Sequence, residues 1–216
     1  MKKIALLPLA ALLATTFAAQ AETTETENQN LTQNFTYVAG GLQVSTYNHD
    51  LPSSWNSTTD STVGMYLRGS WNFKDNFFVE TRGDATVKDD LTVSHSLLGL
   101  GYYQPINDNF TVYGLAGFST IEMKWDINNF GSDINTSVSA DDTALTGEIG
   151  ARYQVMEQWT VEPAVRLAGY DETMYELRLG NNFKVSEHVS VEANLQHRAI
   201  DNLKEMSYQI GARYSF

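Results

Sequence analysis

The last eleven residues constrain the fold most, because they alternate strictly between apolar and polar side chains. Residues 206–216 read Met-Ser-Tyr-Gln-Ile-Gly-Ala-Arg-Tyr-Ser-Phe. A period of two places alternate side chains on opposite faces of a β-strand. About 9–11 tilted residues are enough for a strand to cross the hydrocarbon layer of a membrane. The segment therefore predicts a strand with one face against lipid and the other against water.

The same alternation recurs along the chain and predicts ten strands. They span residues 34–46, 62–73, 77–86, 91–103, 110–124, 143–155, 159–170, 173–183, 189–198 and 205–216. Three turns, at 73–80, 155–162 and 185–192, share one plan, in which an apolar strand end is followed by three polar-leaning residues, an apolar restart and a glutamate. Repeated hairpins of this kind indicate an all-β fold, a transmembrane antiparallel up-and-down β-barrel. Runs at 97–101 and 115–117 blur the facing of strands four and five, which leaves eight strands as the alternative.

The chain divides into three predicted segments. Residues 1–21 have two lysines, an apolar run and a small-x-small site, as in a secretory signal peptide. Residues 22–33 are polar and acidic, which predicts a flexible periplasmic lead-in. Residues 34–216 form the barrel, which has no cysteine and must fold without disulfides.

Charged residues follow the predicted strand faces. All seven arginines and five glutamates fall on the polar faces, whereas the lysines after the signal fall at turns, loops or strand ends. An Arg or Lys on the lipid face at mid-bilayer costs about 2–4 kcal/mol, so a membrane barrel must place such residues inside or at its rims. The sequence therefore predicts a paired ion network in the lumen. Its members are Arg68, Glu80, Arg82, Glu148, Arg152, Glu162, Arg166, Glu176, Arg178, Glu192, Arg198 and Arg213.

Aromatic residues distinguish a membrane barrel from a water-soluble barrel or sandwich. They cluster beside the tight turns, where an interfacial belt would lie, and a soluble barrel has no need of them there. The members of this cluster are Trp71, Phe73, Phe77, Tyr153, Trp159, Phe183, Tyr214 and Phe216.

The signal, the alternating strands, the Tyr-Gly-Leu-Ala-Gly stretch at 113–117 and the closing Tyr214-Ser-Phe216 resemble the small outer-membrane β-barrel family of Gram-negative bacteria. Porin-like and adhesin-like barrels belong to this family, and a colonisation-factor barrel is one candidate type. The resemblance implies that Tyr214 and Phe216 form the C-terminal signal read by the barrel-insertion machinery. It also implies a location in the cell outer membrane with both termini in the periplasm, and outer-membrane lipid as a partner.

No catalytic constellation stands out in the sequence. A surface hydrolase would need Asp/His or Ser/His groups at the outer rim, and the candidates are Asp84, Asp89, Asp90 and His95, with His49-Asp50 on another loop. His95 and Ser96 are adjacent and would point to opposite faces of a strand, which is poor geometry for a general base. We therefore expect no enzyme activity, no metal site and no cofactor.

Two long polar connections, residues 47–61 and 125–142, are predicted to be extracellular loops. Both contain apolar residues that no barrel wall requires, and Trp55 and Phe130 are the contact candidates. The predicted function is surface interaction or adhesion toward an extracellular ligand or host surface. The alternatives are a narrow pore for small solutes or ions and, less directly, an outer-membrane hydrolase. The formal charge changes from −12 to −14 once Lys2 and Lys3 leave with the signal, which argues against nucleic acid as a partner.

Overall fold

The computed structural model describes residues 32–54, 57–128 and 135–216. Within these ranges the chain forms ten strands, and none of the described residues builds a helix that is long and apolar enough to cross a membrane. The strands are β1 (Tyr37–Ser54), β2 (Ser57–Lys74), β3 (Phe77–Lys88), β4 (Leu91–Asn107), β5 (Phe110–Asn128), β6 (Asn135–Met156), β7 (Trp159–Gly169), β8 (Thr173–Lys184), β9 (Val189–Ile200) and β10 (Leu203–Ser215).

Each strand pairs antiparallel with its neighbour in sequence, and the first strand closes the sheet onto the last. The pairing of β1 with β10 runs from Tyr37 opposite Ser215 to Tyr47 opposite Glu205. Closure leaves no free edge in the wall, as a membrane barrel requires. The predicted ten-stranded up-and-down barrel is confirmed, and the eight-stranded alternative is wrong.

The two ends of the barrel differ, and we call them the terminal rim and the distal rim. The terminal rim carries the start of β1, the end of β10 and the turns at 75–76, 108–109, 157–158 and 185–188. The distal rim carries the turns at 89–90, 170–172 and 201–202 and the outer ends of hairpins β1–β2 and β5–β6. Asp75, Asp89 and Asp201 start two-residue turns with φ of 47°, 51° and 48°. This is the left-handed region, which a short polar side chain tolerates better than most.

Hairpin β1–β2 extends beyond the closed wall at the distal rim. β1 and β2 stay paired out to Ser54 opposite Ser57, with irregular register between Thr46 and Leu51. The pairing of β1 with β10 stops at Tyr47, so the outer part of the hairpin has no partner strand on that side.

Hairpin β5–β6 extends in the same way and further. Its two strands stay paired out to Asn128 opposite Asn135. The pairing of β4 with β5 ends at Trp125, and the pairing of β7 with β6 ends at Thr146. The prediction of long loops over 47–61 and 125–142 is therefore wrong, since most of both segments is strand. Lipid meets neither face of a hairpin beyond the wall, so the apolar and polar alternation that reveals a wall strand is not required there. Hairpin β1–β2 instead buries Leu51 and Ser53 over the distal mouth.

The outer face of the wall is apolar and the inner face is polar. Leu42, Met65, Leu145 and Ile149 are each more than 60% exposed on the outside. The structure shows which side chains of β4 and β5 point into the lumen. Leu97 and Leu115 point inward, while their neighbours Leu98 and Ala116 point outward. Alternation is blurred in these strands because the inner face also holds apolar side chains.

Aromatic side chains ring the terminal rim in contact with one another. Trp159 stacks on Phe183 with ring centroids 5.8 Å apart, and its indole N–H donates to Asn181 at 3.2 Å. Phe77 and Tyr102 meet at 5.0 Å. Amphipathic rings at this level suit the boundary between hydrocarbon and headgroups.

Candidate functional site

The segment before β1 lies inside the terminal mouth of the barrel. The Phe35 ring is 1% exposed, stacks on Tyr103 at 4.3 Å and lies 4.5 Å from the ring of Phe78. The Arg152 guanidinium lies 3.7 Å over the same ring and donates to the carbonyl oxygen of Asn34 at 2.6 Å. Residues 32–36 therefore form a plug in this mouth, which we call the terminal plug.

The wall is shaped to hold this plug. A Cβ added at Gly101 would collide with the Phe78 ring, so only glycine leaves room for the aromatic cluster there. Ser70 donates to the carbonyl oxygen of Phe35 at 2.8 Å, and Thr32 donates to the carbonyl oxygen of Asp108 at 3.2 Å.

Charged side chains fill the middle of the lumen in three groups. The first surrounds Glu148, whose carboxylate accepts two hydrogen bonds from Arg82 at 2.5 and 2.7 Å and one from Arg178 at 3.0 Å. Arg82 also donates to Glu80, and the Tyr113 hydroxyl donates to Glu148 at 2.8 Å. Fork-shaped pairing of this kind is the strong form of an arginine–carboxylate contact.

The second group surrounds Arg213, which is 2% exposed. Its guanidinium donates to Glu192 at 2.7 Å and to Glu162 at 2.8 Å. Arg152 lies 3.4 Å from Glu162, and the Tyr66 hydroxyl donates to Glu192 at 3.1 Å. Both carboxylates therefore meet donors from several strands.

The third group surrounds Arg198 and lies nearer the distal rim. Arg198 donates to Asp84 at 2.6 Å, to Glu176 at 2.7 Å and to Glu205 at 3.4 Å. Arg166 donates to Glu176 at 2.5 Å. One arginine of β9 thus joins its two neighbouring strands, β8 and β10, to β3, which is far away in the sequence.

The structure brings the predicted lumen residues together with one exception. Of the twelve, eleven form ion pairs with one another or with other inward carboxylates. Arg68 is buried but has no ion pair among the described residues. Sequence reasoning missed Asp84 and Glu205 as members, although Asp84 shares the strand parity of Glu80 in β3 and Glu205 that of Arg213 in β10.

One group of side chains has the composition of a metal or hydrolytic site. Asp84 and His95 lie opposite each other in the β3–β4 register, and donor atoms of Asp84, His95 and Glu205 all lie within 4.8 Å of one another. Arg198 donates to both carboxylates, so a cation already neutralises them. The residues therefore fit a divalent metal poorly.

The other hydrolase candidates are not part of this group. Asp89 and Asp90 lie in the distal turn between β3 and β4, and His49 and Asp50 are exposed on hairpin β1–β2. His95 is only 9% exposed and lies below that rim. The candidates therefore divide between the surface and the interior rather than forming one open site.

Apolar side chains close the distal mouth from inside. One cluster contains the buried residues Tyr47, Leu51, Leu91 and Val93. A second contains Ala144, Ala168, Met174 and Tyr170, and the Tyr170 hydroxyl donates to Ser119 at 2.8 Å. Burial raises the pKa of Tyr170, so it remains a neutral donor.

The surface of the distal rim is strongly acidic. Its basic residues are Lys88, Lys124 and Lys204. Its acidic residues are Asp50, Asp60, Asp89, Asp90, Glu122, Asp126, Asp141, Asp142, Asp171, Glu172 and Asp201. This rim therefore repels anions and attracts cations.

The remaining predicted residues lie at the two ends. Tyr214 and Phe216 are at the terminal rim, with ring centroids 5.0 Å apart, and the Phe216 N–H donates to the carbonyl oxygen of Thr36 at 3.1 Å. Trp55 and Phe130 lie outside the described residues.

An apolar outer wall, a closed ten-stranded sheet and inward charges define a membrane β-barrel. Residues 7–175 match the family described as "Outer membrane protein beta-barrel domain". The chain belongs to this family, and the resemblance expected from the sequence is confirmed. It is an outer-membrane protein whose apolar wall lies in lipid.

Several solved structures of outer-membrane proteins are similar to this chain at low sequence identity. The outer membrane protease OmpT of Escherichia coli has a TM-score of 0.51 and 9% identity, with 90% of this chain and 99% of that chain covered. The attachment invasion locus protein Ail of Yersinia pestis has a TM-score of 0.42 and 16% identity, covering 85% and 99%. OprG of Pseudomonas aeruginosa has a TM-score of 0.42 and 18% identity, covering 85% and 98%. A comparison with curated protein sequences gave no significant match.

Proposed function

We propose that this chain is a non-enzymatic outer-membrane barrel that meets extracellular partners through hairpins β1–β2 and β5–β6. Both termini then lie in the periplasm and the distal rim faces outward. The observation that carries this proposal is the contrast between a filled lumen and two hairpins that extend past the wall. Strands beyond the wall serve no purpose in spanning the membrane, and surface segments of this length are commonly functional.

The lumen supports this proposal over a pore. The terminal plug, the ion network and the apolar clusters of the distal mouth follow one another along the barrel axis. A barrel only slightly wider than eight strands is nearly filled by its own side chains. Reconstituted protein should therefore show no steady conductance, and large ohmic steps would favour the pore instead.

The position of Asp84 and His95 inside the barrel supports a non-enzymatic role. Asp84 and His95 lie below the apolar side chains of the distal mouth, which a polypeptide or lipid substrate would have to pass. Their carboxylate and imidazole are part of a structural ion network in this proposal.

The charge of the distal rim indicates the partner's chemistry. Exposed carboxylates such as Asp126 and Asp141 favour a cationic surface, and they disfavour a sulfated polysaccharide. Apolar residues of the segments 47–61 and 125–142, with Trp55 and Phe130 as the first candidates, would add contact area to this electrostatic attraction.

Binding of intact cells to a cationic surface tests the proposal. Cells that display the wild-type protein should bind a polylysine-like or basic protein surface, and binding should fall steeply as salt concentration rises. The double variant Asp126→Asn and Asp141→Asn should bind less. The double variant Trp55→Ser and Phe130→Ser should also bind less while heat-modifiable gel mobility, which reports the folded barrel, is unchanged.

The matched control is Glu157→Gln, which removes an exposed carboxylate from the terminal rim. It should leave binding unchanged if the distal rim faces outward. Protease added to intact cells should cut within 125–142 and leave the barrel folded. Cleavage near Lys74 or Glu187 instead would show that the barrel has the opposite orientation.

The C-terminal residues provide the expected insertion signal. Tyr214 and Phe216 end the chain at the terminal rim, which would be the periplasmic face in this orientation. Deleting Phe216 should reduce the amount of folded barrel in the outer membrane. Unchanged assembly after that deletion would remove this role from the proposal.

A further inference from the structure

Arg68 is the one lumen arginine without a charged partner among the described residues. It is 4% exposed, and its Nε and Nη1 atoms are buried with no hydrogen-bond acceptor. The other six inward arginines all pair with carboxylates. Leaving a buried guanidinium unpaired is costly, so a group that the chain does not itself supply is expected beside it.

The register of the wall explains why Arg68 has no partner. Arg68 in β2 lies directly opposite Arg82 in β3, so two like charges face each other across one strand pair. Arg82 takes both nearby carboxylates, Glu80 and Glu148. The neighbouring Glu192 is held by Arg213 and by the Tyr66 hydroxyl. Arg68 therefore has no carboxylate within ion-pair distance among the described residues, although the charge of Glu80 acts on it from further away.

A small cavity adjoins this arginine. Its volume is about 20 Å³, and its lining includes Arg68, Arg82, Arg166, Arg198 and Gln196. The carboxylates that also line it, Asp84 and Glu176, already accept hydrogen bonds from arginines. Four arginines and two carboxylates line the cavity, so positive charge predominates in its wall.

We propose that this cavity is a binding site for a single halide ion, chloride under ordinary conditions, held by the guanidinium of Arg68. The class of ligand follows from charge and size. Unused guanidinium N–H donors select an acceptor, and charge-assisted bonds favour an anion over neutral water. A cavity must have roughly 10–15 Å³ to hold one water, so a volume of about 20 Å³ suits a single small ion better than phosphate or sulfate. The site is independent of the proposed surface function, because it lies inside the wall.

Bromide diffraction tests the site directly. Refolded full-length protein is crystallised in sodium bromide, and an anomalous difference map is calculated from data at the bromine absorption edge. We expect a peak within hydrogen-bonding distance of the Arg68 guanidinium. A map with no peak there, in crystals that show bromide elsewhere on the surface, would overturn the proposal in favour of water.

Thermal unfolding in detergent gives a second, independent readout. The wild-type unfolding temperature should be higher in chloride than in gluconate of equal ionic strength, by roughly 2–4 °C. Arg68→Met should remove this difference, and in gluconate it should be at least as stable as the wild type because an unpaired buried charge is gone.

The matched control is Lys204→Met, which removes one cation from the exposed distal rim. It should keep the full chloride dependence of the wild type. Equal unfolding temperatures of the wild type in the two salts would contradict the proposal. If Arg68→Met does not refold, the bromide map and the wild-type salt series still decide the question.

Discussion

The inner and outer faces of a single strand show opposite chemistry in adjacent residues. In β6, Glu148 points inward and is 3% exposed, while its neighbour Ile149 points outward and is 71% exposed. A soluble protein would reverse these positions. The lumen on one side and the lipid on the other, rather than strand propensity, therefore determine which residue type each position can hold.

The largest effect is expected on the inner face, when a buried arginine that holds two carboxylates is removed. Arg213→Ala leaves Glu162 and Glu192 buried with fewer donors, and removing one partner of a buried pair costs about 3–5 kcal/mol. Urea unfolding of protein refolded into lipid vesicles measures the change. An unfolding free energy equal to that of the wild type would show that the lumen carboxylates do not depend on Arg213.

The next largest loss of stability is expected from a charge on the outer, lipid-facing side of the wall. Ile149→Arg places a charge on the lipid side of β6 and should cost about 2–4 kcal/mol near the bilayer midplane. The control is Val138→Arg, on the part of β6 that lies beyond the paired wall, where the unfolding midpoint should not change measurably. A similar loss in both variants would mean that the membrane boundary on β6 lies elsewhere.

A smaller effect concerns the aromatic residues between the two environments. Trp159→Leu keeps an apolar side chain but removes the stack on Phe183, and such pairs are worth about 0.5–1.5 kcal/mol. The unfolding free energy measured by urea unfolding in lipid vesicles should fall by about this amount. Full retention of stability would indicate that the ring serves only to position the barrel in the membrane.

The smallest effect is expected where neither face is involved. Lys204→Ala changes an exposed residue near the distal turn between β9 and β10. Its unfolding midpoint should match that of the wild type in the same vesicle assay. A loss comparable to that of Arg213→Ala would contradict the division between the lumen and the rims.

The wall could be predicted from the sequence because each wall strand meets lipid on one face. Strong alternation in β8 to β10 follows directly from that asymmetry. It is weaker in β4, where Leu97 faces inward toward the aromatic cluster and both faces are apolar. Alternation is lost in the two hairpins, and their strands were therefore predicted as loops.

The pairing inside the lumen could not be predicted from the same pattern. Arg198 reaches Asp84 across 114 positions of sequence, and this contact depends on barrel register and diameter. The isolation of Arg68 depends equally on its facing Arg82 across one strand pair. Strand parity predicts that a residue points inward, but it carries no information about its partner.

The pairing of β1 with β10, which we call the seam, is the contact that closes the barrel, and it affects the order in which the strands assemble. The Asn34 amide donates to the carbonyl oxygen of Phe216 across 182 positions, so the two ends of the chain meet only after everything between them exists. Contacts this distant form slowly, because the intervening chain must first be ordered. Until then β1 and β10 are two open edges, each able to pair with a strand of another molecule. The terminal plug directly precedes β1, so the pairing that closes the barrel also brings the side chains that fill this mouth to their place.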